Sequence, residues 1–424
     1  MLNKSKSNRI NGYYVFGKNN SKLVRDQLDK LDLDRYDTIP LGGVKFNWIT
    51  RSSDIDWNRF DSNFQILNHI FNEKQLSNKG LLLKNLRTYF KSKSSIFLQK
   101  FLPETYLLDN LIDRINFKKN FQQNSLWICK PVGLSCGKEI FLFRSEEQLE
   151  NHLKQYQQRD LYSNRLVQRY IENPLLINQQ KFDIRTYFLC ICLSNDVLCF
   201  ACQTGYLRLS MYQFNLEDLN KFIHLTNQTI QNKDENFPLK KNMTGMTIEE
   251  FNEYFNDVIQ PNMMGLDKDW VIHQLPKQIT NILHQVAYAI RNQLTIQEGC
   301  FGYYGVDILI DEKLNCWLLE INSGPTLDMT NQALEKVIPM CLNEAIRIVI
   351  DTLDNYRENG SAFPLRESKL FKYLPFNTSS ILSNQIPSFI SINSQLIDLT
   401  PGTNLSKRRY RRLYSQRYRS KSRL

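Results

Sequence analysis

The chain has 424 residues, a hydrophobic fraction of 42% and a formal net charge of +11, so it can hold two or three packed subdomains and attract an acidic partner. No apolar run approaches the roughly 18 residues of a membrane span, and the polar first ten residues show no signal peptide. Nine cysteines at irregular spacing are typical of a reducing compartment. These features favour a globular protein of a reducing compartment, with an acidic partner whose kind the composition does not give.

The N-terminal part of the chain predicts a small mixed domain. Residues 77–90 predict a helix with Leu81, Leu82, Leu86 and Tyr89 near one face. Residues 96–108 predict a strand, a proline break and a second extended piece. We therefore expect a first domain over residues 10–95 and a second that begins at residue 96.

A strand, a loop and a returning strand are predicted over residues 126–143, followed by a helix over 146–157 and a strand over 166–171. Lys130 ends the first strand, and the loop after it carries the small residues Gly133, Ser135 and Gly137. Small residues let backbone N–H groups approach an anion, and a lysine supplies a point charge for phosphate. Because glycine-rich hairpins are common, this motif alone is a weak signal.

Cationic side chains occupy one face of a predicted strand pair over residues 182–193 and 197–209. Lys181, Asp183 and Arg185 share a face because side chains alternate along a strand. A charged face in an apolar strand is costly unless it meets a ligand or a partner. Arg208 lies near the end of the following strand, and an arginine fork suits phosphoryl or carboxylate oxygens. Structural salt bridges are the alternative for both arginines.

Two further features of this region have structural alternatives. Four cysteines could bind zinc from a hairpin, but their apolar setting favours buried structural cysteines; these are Cys190, Cys192, Cys199 and Cys202. His224 begins a polar tetrad over residues 224–227. A lone histidine in such a place is more often a satisfied structural residue than a catalyst.

The most informative segment covers residues 301–325, which predict two strands joined by a polar turn over 311–315. Glu320 and Asn322 share a face, and a hairpin centred after Lys313 places Asp307 opposite Glu320. Carboxylates this close are unfavourable without a cation between them. Hard oxygen ligands suit Mg²⁺, which takes further ligands from phosphates. A solvated hairpin with unrelated acidic residues is the alternative.

Helices over residues 274–292 and 333–356 are predicted to flank this hairpin, and regular structure is expected to fall away after about residue 357. Residues 407–423 contain nine Lys or Arg, no acidic residue and three tyrosines. Such a run suits nucleic acid, an anionic membrane or an acidic protein tail, or it is a disordered, solvated tail without a specific partner.

Several of these motifs, in series, resemble the tubulin tyrosine ligase-like family. They are WICKP at 127–131, VQRYIENPLL at 167–176, KFDIR at 181–185, HLTNQ at 224–228, GVDILID at 305–311 and WLLEINSGP at 317–325. The resemblance covers about residues 40–350. Within the family, stretches such as FLPETYLLD at 101–109 and LRLSMYQF at 207–214 are most similar to the polyglycylase branch.

The resemblance implies an α/β ATP-grasp fold, in which two antiparallel-rich sheets hold the nucleotide beside a smaller N-terminal domain. The implied division is 10–95, 96–174, 175–356 with the magnesium site, and a poorly ordered basic tail over 357–424. The ATP-binding residues that it implies are Lys130, Ser135, Gly137, Lys138, Gln168, Arg169, Tyr170, Ile171, Lys181, Asp183 and Arg185. Implied catalytic residues are Arg185, Arg208, Lys181, His224 and Asn227, with Thr226 beside them, and implied Mg²⁺ ligands are Asp307, Glu320 and Asn322.

The activity implied is ATP-dependent ligation of glycine, through an acylphosphate, to acidic C-terminal tails of tubulin or microtubules. A cytoskeletal location in a cilium or axoneme would follow, with neither nucleic acid nor membrane as partner. Glutamate is the alternative donor. The family usually has glycine where this chain has Glu139, which favours a second alternative, a catalytically weak microtubule-binding protein. We expect Glu139 to turn toward solvent or a basic neighbour such as Lys138.

Overall fold

The structure is a computed structural model that describes residues 9–17, 21–40, 42–91, 93, 95–134, 137–155 and 164–376. Its strands are β1 (Ile10–Phe16), β2 (Asp34–Tyr36), β3 (Val44–Ile49), β4 (Ile66–Leu67), β5 (Thr105–Leu107), β6 (Trp127–Pro131), β7 (Phe141–Phe143), β8 (Arg165–Arg169), β9 (Leu176–Ile177), β10 (Gln180–Cys192), β11 (Val197–Cys202), β12 (Tyr206–Gln213), β13 (Gly245–Thr247), β14 (Phe301–Ile310), β15 (Cys316–Ser323) and β16 (Phe371–Tyr373). Its α-helices are α1 (Ser21–Leu28), α2 (Lys74–Ser77), α3 (Lys79–Lys91), α4 (Ser95–Leu98), α5 (Leu111–Asn120), α6 (Glu146–Lys154), α7 (Lys221–His224), α8 (Gln228–Gln231), α9 (Phe237–Lys240), α10 (Ile248–Tyr254), α11 (Trp270–His273), α12 (Leu275–Ile290) and α13 (Gln332–Asn359).

The first sheet is parallel, in the order β2-β1-β3-β4. Helix α3 follows it and buries Leu82, Leu83, Leu86 and Phe90. The helix predicted over 77–90 is confirmed, but its buried face is rotated slightly from the expected one, because Leu81 and Tyr89 are only half-buried. Lys79 is the first residue of α3 and lines the cleft described below.

An antiparallel sheet in the order β5-β8-β6-β7 carries the predicted phosphate loop, which is the loop over residues 133–137 between β6 and β7. One face buries Trp127, Phe143 and Val167 against Phe117 of α5 and Leu149 of α6. The strand, loop and strand predicted over 126–143 and the helix that begins at residue 146 are confirmed. The strand predicted at the start of 96–108 is wrong, since those residues form α4 and a turn closed by local backbone hydrogen bonds.

The central sheet is built around β10, whose residues 184–191 pair antiparallel with β14. On its other edge β10 pairs with β12 over its first half and with β11 over its second half. The single strand predicted over 197–209 is therefore two strands. They separate at residues 203–205, where the bare Cα of Gly205 lies against the Arg185 carbonyl and the Thr186 hydroxyl donates to the carbonyls of Cys202 and Thr204.

The predicted pairing of Asp307 with Glu320 in the β14–β15 hairpin is confirmed. The pairing shifts by one residue between Asp307 and Ile308, which pairs with Leu318. Leu319 is thus an extra residue in a β-bulge, a feature that re-aims side chains. Leu319 and Glu320 are both half-buried and both line the cleft described below.

Regular structure continues beyond the expected limit near residue 357. Helix α13 runs to Asn359, and β16 adds to the edge of the central sheet by pairing with β11. This edge gives residues 371–373 backbone partners that a local sequence pattern does not reveal. Residues 377–424, including the basic run at 407–423, lie outside the described residues.

The cysteines of the central sheet are structural. Cys190 and Cys199 are cross-strand neighbours, and Cys202 lies beside Cys341 of α13. All four cysteines of the zinc alternative are buried and free. Within the described ranges no group of three or more His, Cys, Asp or Glu could hold a metal ion, which argues against the zinc alternative.

Residues 249–273 form a compact unit of their own, made of most of α10, a π-helical turn at Phe255–Ile259, a 3₁₀ turn and α11. The Asp269 carboxylate accepts hydrogen bonds from the side-chain amides of Asn252 and Asn256, and so links the end of this unit to its first helical turns. Each helix in the described part of the chain is too short or too polar to cross a bilayer.

We expect Gly205→Ala to destabilise the protein, because an added Cβ would lie 2.4 Å from the Arg185 carbonyl oxygen and would push apart β10 and β12. Overpacking of this kind costs about 1–3 kcal/mol. Gly133→Ala is the matched control, since its Cβ would meet only an ordinary contact at 3.7 Å. Urea denaturation of both variants checks this, and equal midpoints would contradict it.

Candidate active site

A cleft with about 820 Å³ of empty space, part of it open to solvent, lies between the β5-β8-β6-β7 sheet and the central sheet. The structure brings most of the predicted site residues into its lining: Lys130, Gly137, Gln168, Arg169, Tyr170, Ile171, Lys181, Asp183, Arg208, His224, Thr226, Asn227, Asp307 and Glu320. Lys79 and several apolar side chains complete it.

Lys130 lies on β6 with its ammonium buried in the cleft wall. Its Nζ donates to Gln168 Oε1 at 2.7 Å, and the Gln168 amide donates to the Thr105 hydroxyl at 2.9 Å. Burial lowers the pKa of Lys130 to about 8, although the Glu320 carboxylate opposes this shift. A bound anion would give Lys130 a counter-ion in the cleft and would favour its protonated form.

Lys181 on β10 makes two hydrogen bonds. Its Nζ donates to the Tyr170 hydroxyl at 2.7 Å and to the His224 carbonyl at 2.9 Å. Burial is the main cause that lowers the pKa of Lys181 to about 7, and Asp183 opposes it. Both pKa values lie close to physiological pH, so each lysine is only partly protonated there, and a bound anion would favour the protonated form.

His224 has a defined tautomer. Its Nε2 lies 2.7 Å from the Asp218 carbonyl, which can only accept, so Nε2 carries the proton. Nδ1 then accepts from the Tyr170 hydroxyl at 2.8 Å. Burial lowers the pKa of His224, so the ring is neutral. With both nitrogens bonded to protein, His224 positions Tyr170 and leaves no ring nitrogen for substrate.

Four alternating charges form a buried network across β12, β10 and β14. Arg208 grips Asp183 through Nε at 2.7 Å and Nη2 at 2.6 Å, and Arg185 grips Asp307 through Nε at 2.5 Å and Nη2 at 3.1 Å. Nη2 of Arg208 also lies 2.8 Å from Asp307. Among the described residues Arg208 Nη1 has no protein partner, so it can reach a ligand in the cleft.

The acidic hairpin, formed by β14 and β15 with Asp307 and Glu320, contacts the first turn of α3. Lys79 Nζ lies 3.0 Å from Glu320 and donates to the Leu134 carbonyl at 2.9 Å, while its backbone N–H donates to the Val132 carbonyl. The Asn322 amide donates to Glu320 at 3.0 Å. Burial opposes ionisation, but Lys79 and Asn322 together hold the pKa of Glu320 well below its usual range.

Hard oxygens from Asp307 and Glu320 on adjacent strands, with the Asn322 side-chain oxygen nearby, fit Mg²⁺ chemically. The described residues contain no all-protein metal cage. The donor set therefore fits a cation that takes its remaining ligands from phosphate oxygens and water.

Three predicted residues, Arg185, Lys138 and Asn322, do not line the cleft. Arg185 lies behind Asp307, against Gly305, and does not line the cleft. Lys138 is exposed, and Asn227 lines the cleft while its side chain caps α8 by accepting from the Thr229 N–H. Ser135 lies outside the described residues. The roles proposed for these residues stay predictions.

Glu139 does not line the cleft. Its carboxylate lies 2.5 Å from Arg165 Nη2, so the expectation that it turns to a basic neighbour is confirmed, with Arg165 instead of Lys138 as the partner. The backbone of Glu139 has φ of 54°, a left-handed conformation that glycine adopts without strain. A glycine would therefore suit this position, as the family resemblance implies.

Sequence reasoning missed Lys79 and the apolar lining of the cleft. Lys79 is 241 positions from its partner Glu320, and no local pattern links the two. Leu309 alternates with Asp307 on β14 and could have been inferred from the hairpin, whereas Leu319 reaches the cleft only through the bulge. Ile128, Ile140 and Leu225 complete this apolar wall.

Residues 58–357 match the Tubulin-tyrosine ligase family. The chain belongs to this family. Among its relatives, Protein polyglycylase TTLL10 of Rattus norvegicus is 30% identical over 85% of this chain and 56% of its own length. Inactive polyglycylase TTLL10 of Homo sapiens is 33% identical over 68% of this chain and 44% of its own.

A different activity appears in another relative. Probable alpha-tubulin polyglutamylase Ttll1 of Tetrahymena thermophila is 29% identical over 74% of this chain and 79% of its own length. The chain spans about half the length of the polyglycylases that it matches. The likeness to the polyglycylase branch is confirmed, while the family contains both polyglycylases and polyglutamylases at about this identity.

We expect the affinity of the cleft for a nucleoside diphosphate to fall as pH rises from about 7.5 to about 9.5, because above their pKa values of about 8 and about 7 the free Lys130 and Lys181 must regain a proton to bind the anion. The loss should reach about tenfold per lysine per pH unit at most. Lys130→Met should bind more weakly at the lower pH and show a shallower dependence. Calorimetric titration at both pH values checks this, and an affinity that is constant or rises with pH would contradict it.

Proposed function

We propose that the protein is an ATP-dependent carboxylate–amine ligase of the ATP-grasp type. One observation carries this proposal. The paired carboxylates Asp307 and Glu320 lie in the same cleft as three lysines, two of them buried without a carboxylate within ion-pair distance among the described residues. Buried lysines without a carboxylate partner favour a polyanion, and the magnesium of a magnesium–nucleoside triphosphate would lie beside the two carboxylates.

In this proposal the adenine lies against the segment 168–171 and the apolar wall that includes Leu309 and Leu319. The phosphates extend toward Lys130 and Lys79, at the end of the cleft that holds Glu320. Mg²⁺ bound by Asp307, Glu320 and Asn322 would neutralise phosphate charge. Each protein cation acts from a fixed position, because each is already anchored by other protein groups.

The chemistry is activation of a carboxylate. A glutamate side chain or peptide C-terminal carboxylate attacks the γ-phosphorus, and ADP leaves. The amine of the incoming amino acid then attacks the acylphosphate carbon, its C–O bond to phosphate breaks, and an amide forms. Arg208 Nη1 is the group positioned to hold a substrate carboxylate or the acylphosphate. Positioning and charge neutralisation supply the catalysis.

The donor we propose is glycine, and the acceptors are acidic C-terminal tails of tubulin. The likeness to Protein polyglycylase TTLL10 supports glycine. Glutamate is the second candidate, supported by the likeness to a probable alpha-tubulin polyglutamylase. A weakly active microtubule-binding protein is the third, supported by the relative named Inactive polyglycylase TTLL10. The turn of Glu139 away from the cleft favours the active enzyme.

The organisation and location follow from the same proposal. The parallel sheet lies within the predicted N-terminal domain 10–95, the phosphate-loop sheet within 96–174, and most of the central sheet within 175–356. An association with the cytoskeleton follows from the proposed substrate, and a cilium or axoneme remains a prediction.

The deciding experiment incubates the purified chain with microtubules, Mg-ATP and either glycine or glutamate, and analyses the tubulin tails by mass spectrometry. We expect a ladder of added glycine residues that requires ATP. A glutamate ladder instead would establish the second candidate. Microtubule binding with neither ladder would establish the third.

Glu320→Gln keeps the side-chain shape and removes one charge of the cation site. We expect ligation to be abolished while the thermal midpoint stays within a few degrees, because the amide oxygen of Gln can still accept hydrogen bonds from Lys79 and Asn322. Glu312→Gln, on the exposed turn of the same hairpin, is the matched control and should keep full turnover. Near-normal turnover of the Glu320 variant at saturating Mg²⁺ would rule out the role.

A further inference from the structure

Glu139 and Arg165 form an ion pair beside the phosphate loop that the chemistry proposed above does not use. The Glu139 carboxylate accepts from Arg165 Nη2 at 2.5 Å, and Arg165 Nη1 donates to the Glu139 backbone carbonyl at 3.3 Å. One guanidinium therefore holds both the side chain and the main chain of the same residue. The neighbours Gly137 and Ile140 line the cleft, whereas Glu139 does not.

Arg165 is a fixed anchor for this pair. It is the first residue of β8 and lies opposite Pro131, the last residue of β6. Only 2% of Arg165 is exposed to solvent. Residues 137–140 form the end of the loop that follows β6, and we call them its shoulder. The buried side chain of Arg165 binds this shoulder to the sheet.

The shoulder is also held from its other side. Gly137 has φ of 65°, and a Cβ there would lie 2.0 Å from Ile230 Cδ1 of α8. Glu139 keeps a left-handed φ, which is unfavourable for a residue with a Cβ and persists only where surrounding contacts impose it. The two contacts with Arg165 hold both ends of this residue, its carboxylate and its backbone carbonyl.

We propose that Arg165 and Glu139 are positioning residues, in which Arg165 clamps the shoulder of the phosphate loop and keeps the Glu139 carboxylate away from the nucleotide phosphates. This inference rests on the proposed function only in requiring that the cleft bind ATP.

The proposed clamp predicts that loss of Arg165 and loss of the Glu139 charge have different effects on nucleotide affinity. Loss of Arg165 leaves a free carboxylate two positions from Gly137, where it can rotate toward the phosphates and repel them. Loss of the Glu139 charge removes this repulsion together with the clamp. Removing both should therefore be milder than removing Arg165 alone, a sign of coupling that two independent structural losses do not produce.

The test is a double-mutant cycle of Arg165→Gln, Glu139→Gln and the double variant. Calorimetric titration with an unhydrolysable ATP analogue and Mg²⁺, and separately with adenosine, gives the affinities. We expect Arg165→Gln to weaken the ATP analogue at least about tenfold, and the double variant to recover to within about threefold of the natural protein. Adenosine, which has no phosphate, should bind all variants equally. Glu147→Gln, exposed on α6, is the control for a lost surface charge.

Losses that add in the double variant, or an equal loss for adenosine, would overturn the clamp. If the folded natural protein binds no ATP analogue, the proposed function fails first, so the two failures are distinguishable. Should Arg165→Gln not fold, hydrogen exchange of the backbone amides of residues 137–140 decides. Glu139→Gln should accelerate it at least tenfold without nucleotide, and unchanged exchange would contradict the proposal.

Discussion

The candidate site depends on the buried network of two arginines and two aspartates that crosses the central sheet. Asp183 lies directly opposite Arg208 on β12, and Arg185 directly opposite Asp307 on β14. Arg208 reaches over β10 to Asp307, which joins the two pairs. Burying charges is costly and rarely adds stability compared with apolar packing, so such a network is retained mainly where geometry matters. Here it fixes two carboxylates and one guanidinium in the lining of the cleft.

The network also binds residues 224–226, in the segment after β12, to the site. The Thr226 hydroxyl donates to Asp183 at 2.6 Å, and the neighbouring His224 carbonyl accepts from Lys181. Tyr170, from the other sheet, bonds to both Lys181 and His224. A chain of contacts therefore runs from the acidic hairpin to the segment 168–171. The side chains that would meet opposite ends of a nucleotide are held by one connected set of hydrogen bonds, which favours preorganisation.

Much of this arrangement could be predicted from sequence, because it rests on the period of two in β-strands. Alternation placed Lys181, Asp183 and Arg185 on one face, and the turn at 311–315 set the pairing of Asp307 with Glu320. The pairing is right at Asp307, although a bulge at Leu319 shifts the register nearer the turn. Local patterns thus specify which charges share a face, while the bulge depends on packing that no local pattern records.

The features that sequence could not supply are long-range. The break between β11 and β12 results from a close approach of Gly205 to β10, and Lys79 enters the site only because α3 starts beside the phosphate-loop hairpin. β16 needs the free edge of β11. In each case the local sequence is compatible with several structures, and a contact with a distant strand selects one.

The effect of Glu139 on nucleotide binding depends on the direction of its side chain, which the sequence does not give. A carboxylate beside a phosphate loop, judged from sequence, argues for a weakened enzyme. The structure removes that objection, because the same side chain is bound by Arg165 outside the cleft and the paired acids and lysines inside it are all present. The charge of Glu139 is therefore no argument against the proposed activity, since Arg165 neutralises it outside the lining of the cleft.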